Sequence, residues 1–413
     1  MRDRAGNPTG ADRRSLLGFL VGTGLLTFAN GSFNLLVGPS VASDGHSEAV
    51  IGVIVATGSV ASLLLRVPAG NAYRSGRAAL LITGGSVLAA MGYGLFPSFS
   101  AAPILAFLSA LQGAGFAVAT TAAMAGLIER RPDRTSAGSL MGLYTGSIGA
   151  GYAFAGFVGG PLADRIGLPG ALVVASVVAA CSGWLTAAAL GRFGSPPPET
   201  ADHGPPLRGW VRGMPVEVWL GFAIAVYINV VNGGMNAFFP LYALTLGLSL
   251  SQVGVLAGIH GGLASAVRFG VGSLLHRVSY RGVTVTMVTV TGSAVAAIVL
   301  PEGFAPLAVL VALAGLARGV LRVVSGAMVM EAARPTPRHR GRASGIYLAG
   351  LDLGNAVGPL VGGFVSEAAG LRGAFPVLGV APAVAFLALI ATLDRRRRVR
   401  AGVAPDPVTP GAP

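Results

Sequence analysis

The chain has 413 residues, of which 53% are hydrophobic and only 11% are charged, and its mean hydropathy is +0.70. Because a soluble chain carries about a quarter charged residues, this composition excludes an ordinary soluble protein and predicts an all-α integral membrane protein. All 29 basic residues are arginines and lie mostly in loops, so the net charge of +13 indicates membrane orientation and no nucleic-acid partner.

Twelve apolar runs follow one another along the chain, each long enough to cross a hydrocarbon core of about 30 Å as a helix. Segment 193–215 is rich in proline and charge, which predicts a cytoplasmic linker between six-helix bundles at 1–192 and 216–394, and 395–413 forms a basic cytoplasmic tail. The predicted spans are 15–40, 48–69, 77–97, 101–128, 137–162, 168–191, 216–244, 251–274, 282–300, 304–330, 342–366 and 373–393.

The arginines predict the orientation of these spans. All but four lie at the N-terminus, in alternate loops, in the linker or in the tail. The exceptions are Arg165 and Arg372 in the opposite loops, and Arg318 and Arg322 inside the tenth span. The positive-inside rule therefore predicts that both termini are cytoplasmic. The absence of lysine is typical of GC-rich coding and indicates a bacterial inner membrane.

The two halves of the chain repeat each other in sequence. The stretch "VIGVIVATGSVASLLLR", ending at Arg66, matches "QVGVLAGIHGGLASAVR", ending at Arg268, 202 residues later. In the fifth span "GYAFAGFVGGPLADRIG" matches "GNAVGPLVGGFVSEAAG" of the eleventh at an offset of 203. Two six-helix repeats in parallel orientation predict a substrate site near the membrane midplane, between the halves.

On these features the chain resembles the major facilitator superfamily of secondary transporters, over essentially its whole length. That family carries Gly-x-Leu-x-Asp-Arg-x-Gly-Arg-Arg after the second span; here the loop reads "GNAYRSGR", with Tyr73 at the aspartate position. The loop of the second half reads "GSLLHRVSYR" and has a histidine there. The resemblance implies cytoplasmic gating loops without the usual aspartate latch, although these arginines could serve only as orientation charges. The gating-loop residues are Gly70, Arg74, Gly76, Arg77, Gly272, His276 and Arg277.

The antiporter subgroup of that family carries Gly-x-x-x-Gly-Pro-x-x-Gly-Gly in its fifth helix. Here the complete form, "GNAVGPLVGG", lies in the eleventh span, whereas the fifth has "GYAFAGFVGG" with Ala155 and Gly156 in place of Gly-Pro. The resemblance implies export, but the position of the motif in the eleventh span instead of the fifth weakens this indication. The same small residues would also be suitable for helix packing alone. The predicted packing residues are Gly151, Gly159, Gly160, Gly354, Gly358, Pro359, Gly362 and Gly363.

Asparagines recur in the first and seventh spans, as "NGSFN" at 30–34 and "NGGMN" at 232–236. Residues four apart share a helix face, so Asn30 and Asn34, and likewise Asn232 and Asn236, are predicted to line the central cavity that the resemblance implies. Amides both donate and accept hydrogen bonds, which suits a neutral or zwitterionic substrate. The alternative is that they join helices structurally. Gln112 in the fourth span is a further candidate for substrate binding.

Three formal charges lie deep in spans: Arg318, Arg322 and Asp352. Each costs about 2.5–3.5 kcal/mol at the bilayer centre on insertion scales, so partners or water are expected. An ion pair between Asp352 and Arg318 is predicted, because their spans are adjacent and both residues lie near mid-depth. Either this pair only fixes helix packing, or Asp352 carries a coupling proton, with His260 as a second candidate, while the arginines meet an anionic substrate group.

The sequence therefore predicts a proton-coupled secondary transporter that exports a small organic molecule, such as a drug or natural product, by alternating access. A neutral or anionic amphiphile fits the tenth-span arginines. No lysine is present to complete a phosphate-binding loop, and no metal-spaced Cys/His cluster occurs, so neither ATP-driven transport, nor an enzyme, nor a cofactor or metal is expected. The chain is expected to work as a monomer in lipid. A solute importer and a transport-inactive sensor or scaffold are the alternatives.

Overall fold

The computed structural model describes residues 10–130, 137–192, 214–268, 270–271, 278–301, 303–332 and 337–402. Within these residues the regular secondary structure is helical, and nine of the helical runs are long and apolar enough to cross a membrane. The α-helical runs are α1 (Gly10–Ser43), α2 (Glu48–Ala72), α3 (Ala78–Leu95), α4 (Ala102–Glu129), the pair α5 and α6 (Ala137–Arg192), α7 (Val216–Thr245), α8 (Leu250–Ala266), α9 (Tyr280–Ala296), α10 (Phe304–Ala332) and the pair α11 and α12 (Pro337–Gly402).

Two of these runs each consist of two helices joined without a loop. Gly167 separates α5 from α6 and has φ 78° and ψ 163°, while Gly370 separates α11 from α12 with φ 73° and ψ 164°. This region of backbone space is open essentially to glycine alone. At equivalent positions of the two repeats, a single glycine with positive φ thus reverses the direction of the chain. Counted this way, the described residues form twelve helices, in agreement with the twelve predicted spans.

The two halves meet mainly through α2 against α11 and α5 against α8, and α1 also contacts α7, where a Cβ added to Gly38 would overlap the Ala237 carbonyl. A Cβ added to Gly52 would overlap the Pro359 carbonyl, and one added to Gly160 would overlap the Leu250 carbonyl. Small residues at such crossings let two backbones approach closely, which is the main source of helix association in lipid. The halves are therefore in direct backbone contact along these crossings.

The predicted packing residues lie at helix crossings of two kinds. Some face a helix of their own half, and others face the opposite half. Gly151 and Gly159 face α1; Gly354, Gly358 and Gly362 face α7; Gly160 faces α8 of the other half, and Gly363 and Pro359 face α2 of the other half.

Two carboxylates join the halves at the membrane face opposite the chain termini, here called the distal face. Glu367 accepts hydrogen bonds from Ser47 Oγ (3.0 Å) and the Ala49 amide (3.1 Å), at the start of α2. Asp164 accepts from the Ser251 amide (2.7 Å) and from the Ser251 hydroxyl, at the start of α8. Carboxylates at helix N-termini satisfy amides that have no partner within the helix. Asp164 and Glu367 are 203 residues apart, so each repeat caps a helix of the other.

The helix α5 runs along α8 from the distal face toward the opposite face, here called the terminal face. A Cβ added to Gly156 would overlap Gly258 of α8, and one added to Gly149 would overlap the Ser265 hydroxyl. One heptad closer to the terminal face, a Cβ on Gly142 would have no described atom within 4 Å. The described parts of the two halves are therefore joined at the distal face and along α5 and α8 as far as Gly149, and Gly142 beyond it is exposed.

Candidate functional site

An ion pair joins the two halves near the middle of α11. Arg66 of α2 donates from Nε to Asp352 Oδ2 (2.5 Å) and from Nη2 to Asp352 Oδ1 (3.1 Å). The Asp352 side chain is 8% exposed and that of Arg66 28%. Two parallel N–H···O bonds between a guanidinium and a carboxylate form one of the stronger side-chain pairings in proteins. The predicted pairing of Asp352 with Arg318 is wrong, because the crossing of α2 and α11 brings an arginine of the other half to the carboxylate instead.

Arg66 is the functional candidate that the sequence prediction omits. It lies near the end of the second span, where an arginine ordinarily serves to orient the helix. The available signal is its repetition, since Arg66 and Arg268 end the two matched stretches of the repeat.

Four arginines from both halves lie close together near the Arg66–Asp352 pair. They are Arg66, Arg268, Arg318 and Arg322. Tyr152 of α5 lies within electrostatic range of Arg66, Arg318 and Arg322. Arg318 in turn interacts with both Arg322 and Arg268. Within the described part of the chain, Asp352 is the carboxylate that forms an ion pair with a member of this group. The four guanidinium groups and one carboxylate therefore make the space between the halves strongly positive.

Of the first-span amides, Asn30 is occupied within its own half. Its Nδ2 donates to Tyr152 Oη (2.9 Å), and its Oδ1 accepts from Tyr93 Oη (3.3 Å). These bonds join α1 to α5 and α3 and leave the Asn30 amide as a structural link. Asn34 is half-buried, and the Asn236 side chain is exposed between buried neighbours on α7. The four asparagines, which the sequence pattern treats as equivalent, therefore have different surroundings in the structure.

Asn232 lines a small cavity inside the second half, together with His260 of α8 and Arg318 of α10. The Asn232 Oδ1, His260 Nε2 and Arg318 Nε atoms are buried and have no hydrogen-bond partner among the described residues. His260 Nδ1 lies 3.3 Å from the Val311 carbonyl, which can only accept, so the proton of a neutral imidazole is on Nδ1 and Nε2 is an acceptor. One donor and two acceptors suit a group that both donates and accepts, such as a hydroxyl.

Gln112 lies away from the gap between the halves. Its side chain is buried against Gly58 of α2 and Gly92 of α3, both in its own half. Its Oε1 has no partner among the described residues. The geometry therefore places Gln112 at a helix crossing within the first bundle.

The loop after α2 is tied to its own half by the residue that replaces the family aspartate. Tyr73 Oη donates to Glu129 Oε2 at the end of α4 (2.6 Å). Partial burial, followed by the bond to Glu129, raises the pKa of the Tyr73 phenol, which therefore remains a donor at physiological pH. In the second half Tyr280 Oη donates in the same way to Glu331 Oε1 (3.0 Å). Each half thus has a tyrosine–glutamate hydrogen bond beside the loop that lacks the family aspartate.

The remaining gating-loop predictions concern exposed residues or lie outside the described chain. Arg74 Nη1 donates to the Asn71 and Tyr73 carbonyls within its own loop. Gly70, Gly76 and Arg77 are exposed. Gly272, His276 and Arg277 lie outside the described residues.

Two pseudo-symmetric helical bundles around a charged central space define a multi-pass helical membrane protein. The family model of the Major Facilitator Superfamily matches residues 19–305 and 280–411. The chain belongs to this superfamily and is a multi-pass membrane protein of a family of secondary transporters. No curated protein sequence is significantly similar to it.

Solved structures of the same fold include a bacterial homologue of the human lysosomal transporter Spinster, in an inward-facing and unoccupied conformation. That structure is 16% identical, with a TM-score of 0.75, and the alignment covers 94% of this chain and 96% of the other. The nucleoside transporter NupG is 12% identical, with a TM-score of 0.71, and covers 91% of this chain and 99% of its own. At these identities the likeness establishes the fold alone.

Proposed function

We propose that this chain is a proton-coupled secondary transporter of small organic anions. The observation that carries the proposal is the group of four arginines between the halves, Arg66, Arg268, Arg318 and Arg322, of which one is paired with a described carboxylate. Charges at this depth are costly unless they are paired or meet water. An anionic substrate compensates the excess positive charge, whereas a cation is repelled by it.

Proton coupling follows from the pair of Arg66 and Asp352. A proton on Asp352 removes the negative charge that is paired within the arginine group, which raises the net positive charge that attracts the anion. An anion bound among these arginines conversely favours the protonated form of Asp352. Linkage makes these two effects equal, so proton and anion bind cooperatively. Cooperative binding favours symport, in which both cross the bilayer together.

The proposed orientation places the terminal face in the cytoplasm of a bacterial cell, because the arginine-rich loops lie on that face. The distal bonds of Asp164 and Glu367 then hold the external side closed, and the site opens inward. Transport to the outside requires these bonds to break and the terminal ends of the halves to approach. The tight glycine crossings between the halves are the surfaces that rock during this change.

Export by antiport is the second candidate, and the "GNAVGPLVGG" stretch of α11 favours it. This sequence matches the antiporter subgroup, and its glycines pack closely on α7 and α2. Export is the direction predicted from sequence, whereas the link between Asp352 and Arg66 favours symport. The sign of proton movement distinguishes the two.

The test uses proteoliposomes that contain a pH-sensitive dye in the lumen. The external additions share one phenyl ring and differ in head group: benzenesulfonate, phenyl phosphate, benzyl alcohol and benzylammonium. Sulfonate and phosphate remain ionised and do not cross lipid as neutral acids, and protein-free liposomes give the background. Acidification of the lumen with an oxyanion indicates symport, and alkalinisation indicates antiport. A response to benzylammonium alone, or no response to either oxyanion, contradicts the proposal.

A further inference from the structure

The ion pair of Arg66 and Asp352 has no counterpart on the other side of the pseudo-symmetry. Arg66 corresponds to Arg268 at an offset of 202 residues, and Asp352 corresponds to Gly149 at the offset of 203 that relates α5 to α11. The repeat therefore keeps both arginines but only one carboxylate. A glycine stands where the second carboxylate would complete the symmetry.

Arg268 nevertheless lies against Gly149, as Arg66 lies against Asp352. Its Nη1 is 3.9 Å from the position that a Cβ on Gly149 would take. Its Nε is buried and has no hydrogen-bond partner among the described residues. In the described part of the chain no carboxylate forms an ion pair with it. Arg268 is half-buried, and a guanidinium whose buried Nε lacks a partner is unfavourable, so an anion at this position would be stabilising.

Neighbouring groups strengthen this preference. Arg322 lies within electrostatic range of Arg268, as does Tyr347. The Tyr347 hydroxyl lies 3.1 Å from Ser325 Oγ of α10. It thereby connects α11 to the turn of α10 that carries Arg322. A planar oxyanion can receive two parallel N–H bonds from a guanidinium, and a second guanidinium nearby adds attraction.

We infer that the anionic head group of the transported molecule binds Arg268 beside Gly149, at the counterpart of the Asp352 carboxylate. The head group is an oxyanion: a carboxylate, a sulfonate or a phosphate monoester. This inference rests on the proposed function and adds the position at which the protein binds the negative charge of the substrate. The substrate therefore supplies beside Arg268 the negative charge that Asp352 supplies beside Arg66.

The test supplies the missing carboxylate from the protein. A side chain at position 149 would meet Ser265, so the variants are made in a Ser265→Gly background that removes the overlapping atoms. Gly149→Asp and Gly149→Asn have the same size and differ only in charge, which makes them a matched pair. Binding of benzenesulfonate and phenyl phosphate is measured by the rise in melting temperature of the detergent-solubilised protein, with benzyl alcohol as the neutral reference.

Gly149→Asp is expected to weaken oxyanion binding at least tenfold relative to Gly149→Asn. Arg268→Gln alone, which introduces no steric change at position 149, should give a similar loss and leave benzyl alcohol binding unchanged. Equal affinities in the matched pair, or an unchanged affinity in Arg268→Gln, overturn the inference while the proposed function stands. If the wild-type protein binds neither oxyanion more tightly than benzyl alcohol, the proposed function itself fails, and this inference with it.

Discussion

Arg66 and Asp352, 286 residues apart, hold the two halves of the transporter together through a paired guanidinium and carboxylate within the protein. The pair lies between α2 and α11, at one of the crossings where the halves touch. If α2 moves away from α11, the two hydrogen bonds between Arg66 and Asp352 must break, unless both side chains move together. The electrostatics of the site and the contact between the halves therefore depend on the same two side chains.

Asp352→Asn is expected to abolish accumulation driven by a pH gradient while leaving anion exchange partly intact. The amide cannot take up a proton, but the arginines that bind the anion remain. The measurement compares dye-reported proton movement with exchange of radiolabelled phenyl phosphate in the same proteoliposomes. Asp44→Asn, in an exposed turn of the chain, is the control. Normal pH-driven accumulation in Asp352→Asn would exclude this carboxylate from coupling.

Arg66→Gln is expected to destabilise the protein more than the double variant Arg66→Gln with Asp352→Asn. Removing one partner leaves a buried, uncompensated charge, which costs about 3–5 kcal/mol in buried pairs, and less here because Arg66 is partly exposed. Removing both charges eliminates that penalty. Thermal denaturation of the two single variants, the double variant and wild type completes the cycle. Additive effects of the two substitutions would argue against a direct pair.

Replacing both distal carboxylates, as Asp164→Asn with Glu367→Gln, is expected to favour a conformation that is open at the distal face. The substitutions weaken the bonds that join each half to the first turn of a helix in the other. The measurement is the rate at which a cysteine introduced at Ala49 reacts with an impermeant maleimide, with the single native Cys181 replaced by serine. A several-fold increase is expected.

The control for that experiment is Asp44→Asn, which removes a carboxylate near the same end of α2 without touching either cap. An unchanged labelling rate in the doubly substituted protein would show that the two caps do not keep the distal face closed.

The repeated asparagines are expected to respond differently to substitution. Asn30→Ala removes the partner of the buried Tyr93 hydroxyl and the half-buried Tyr152 hydroxyl and should lower stability by about 1–3 kcal/mol, with little change in the apparent substrate constant. Asn236→Ala removes an exposed amide and should raise that constant several-fold at normal stability. Melting temperature and transport kinetics are measured on both variants. Loss of stability in both would assign all of these amides to helix packing.

The cavity formed by Asn232, His260 and Arg318 is expected to distinguish hydroxylated substrates. Asn232→Leu preserves the approximate volume but removes an unpartnered acceptor. It should reduce any preference of wild type for salicylate over benzoate, compounds that differ by one hydroxyl, in a binding assay based on melting temperature. Benzoate affinity itself should change little. An undiminished preference for salicylate would place recognition of the hydroxyl elsewhere.

The sequence by itself determined the helical membrane fold and the repeat, and it predicted which glycines lie where helices cross. Each depends on information that is local or periodic: runs of about 20 apolar residues must span the hydrocarbon, and small residues must lie where helices cross. The asparagine repeat is present in the sequence, but the sequence around each asparagine does not determine which side chains it contacts. Asn30 meets Tyr93 and Tyr152 because α3 and α5 lie against α1.

Only the tertiary structure decided which charges meet. Adjacency along the chain predicts Arg318 as the partner of Asp352, yet the crossing of α2 with α11 brings Arg66 there instead. The same crossings decide that Glu367 caps α2 and that Arg268 lies beside a glycine. Side-chain direction and the contact between two halves set these distances. Both arise from packing of residues hundreds of positions apart, which hydropathy and spacing do not encode.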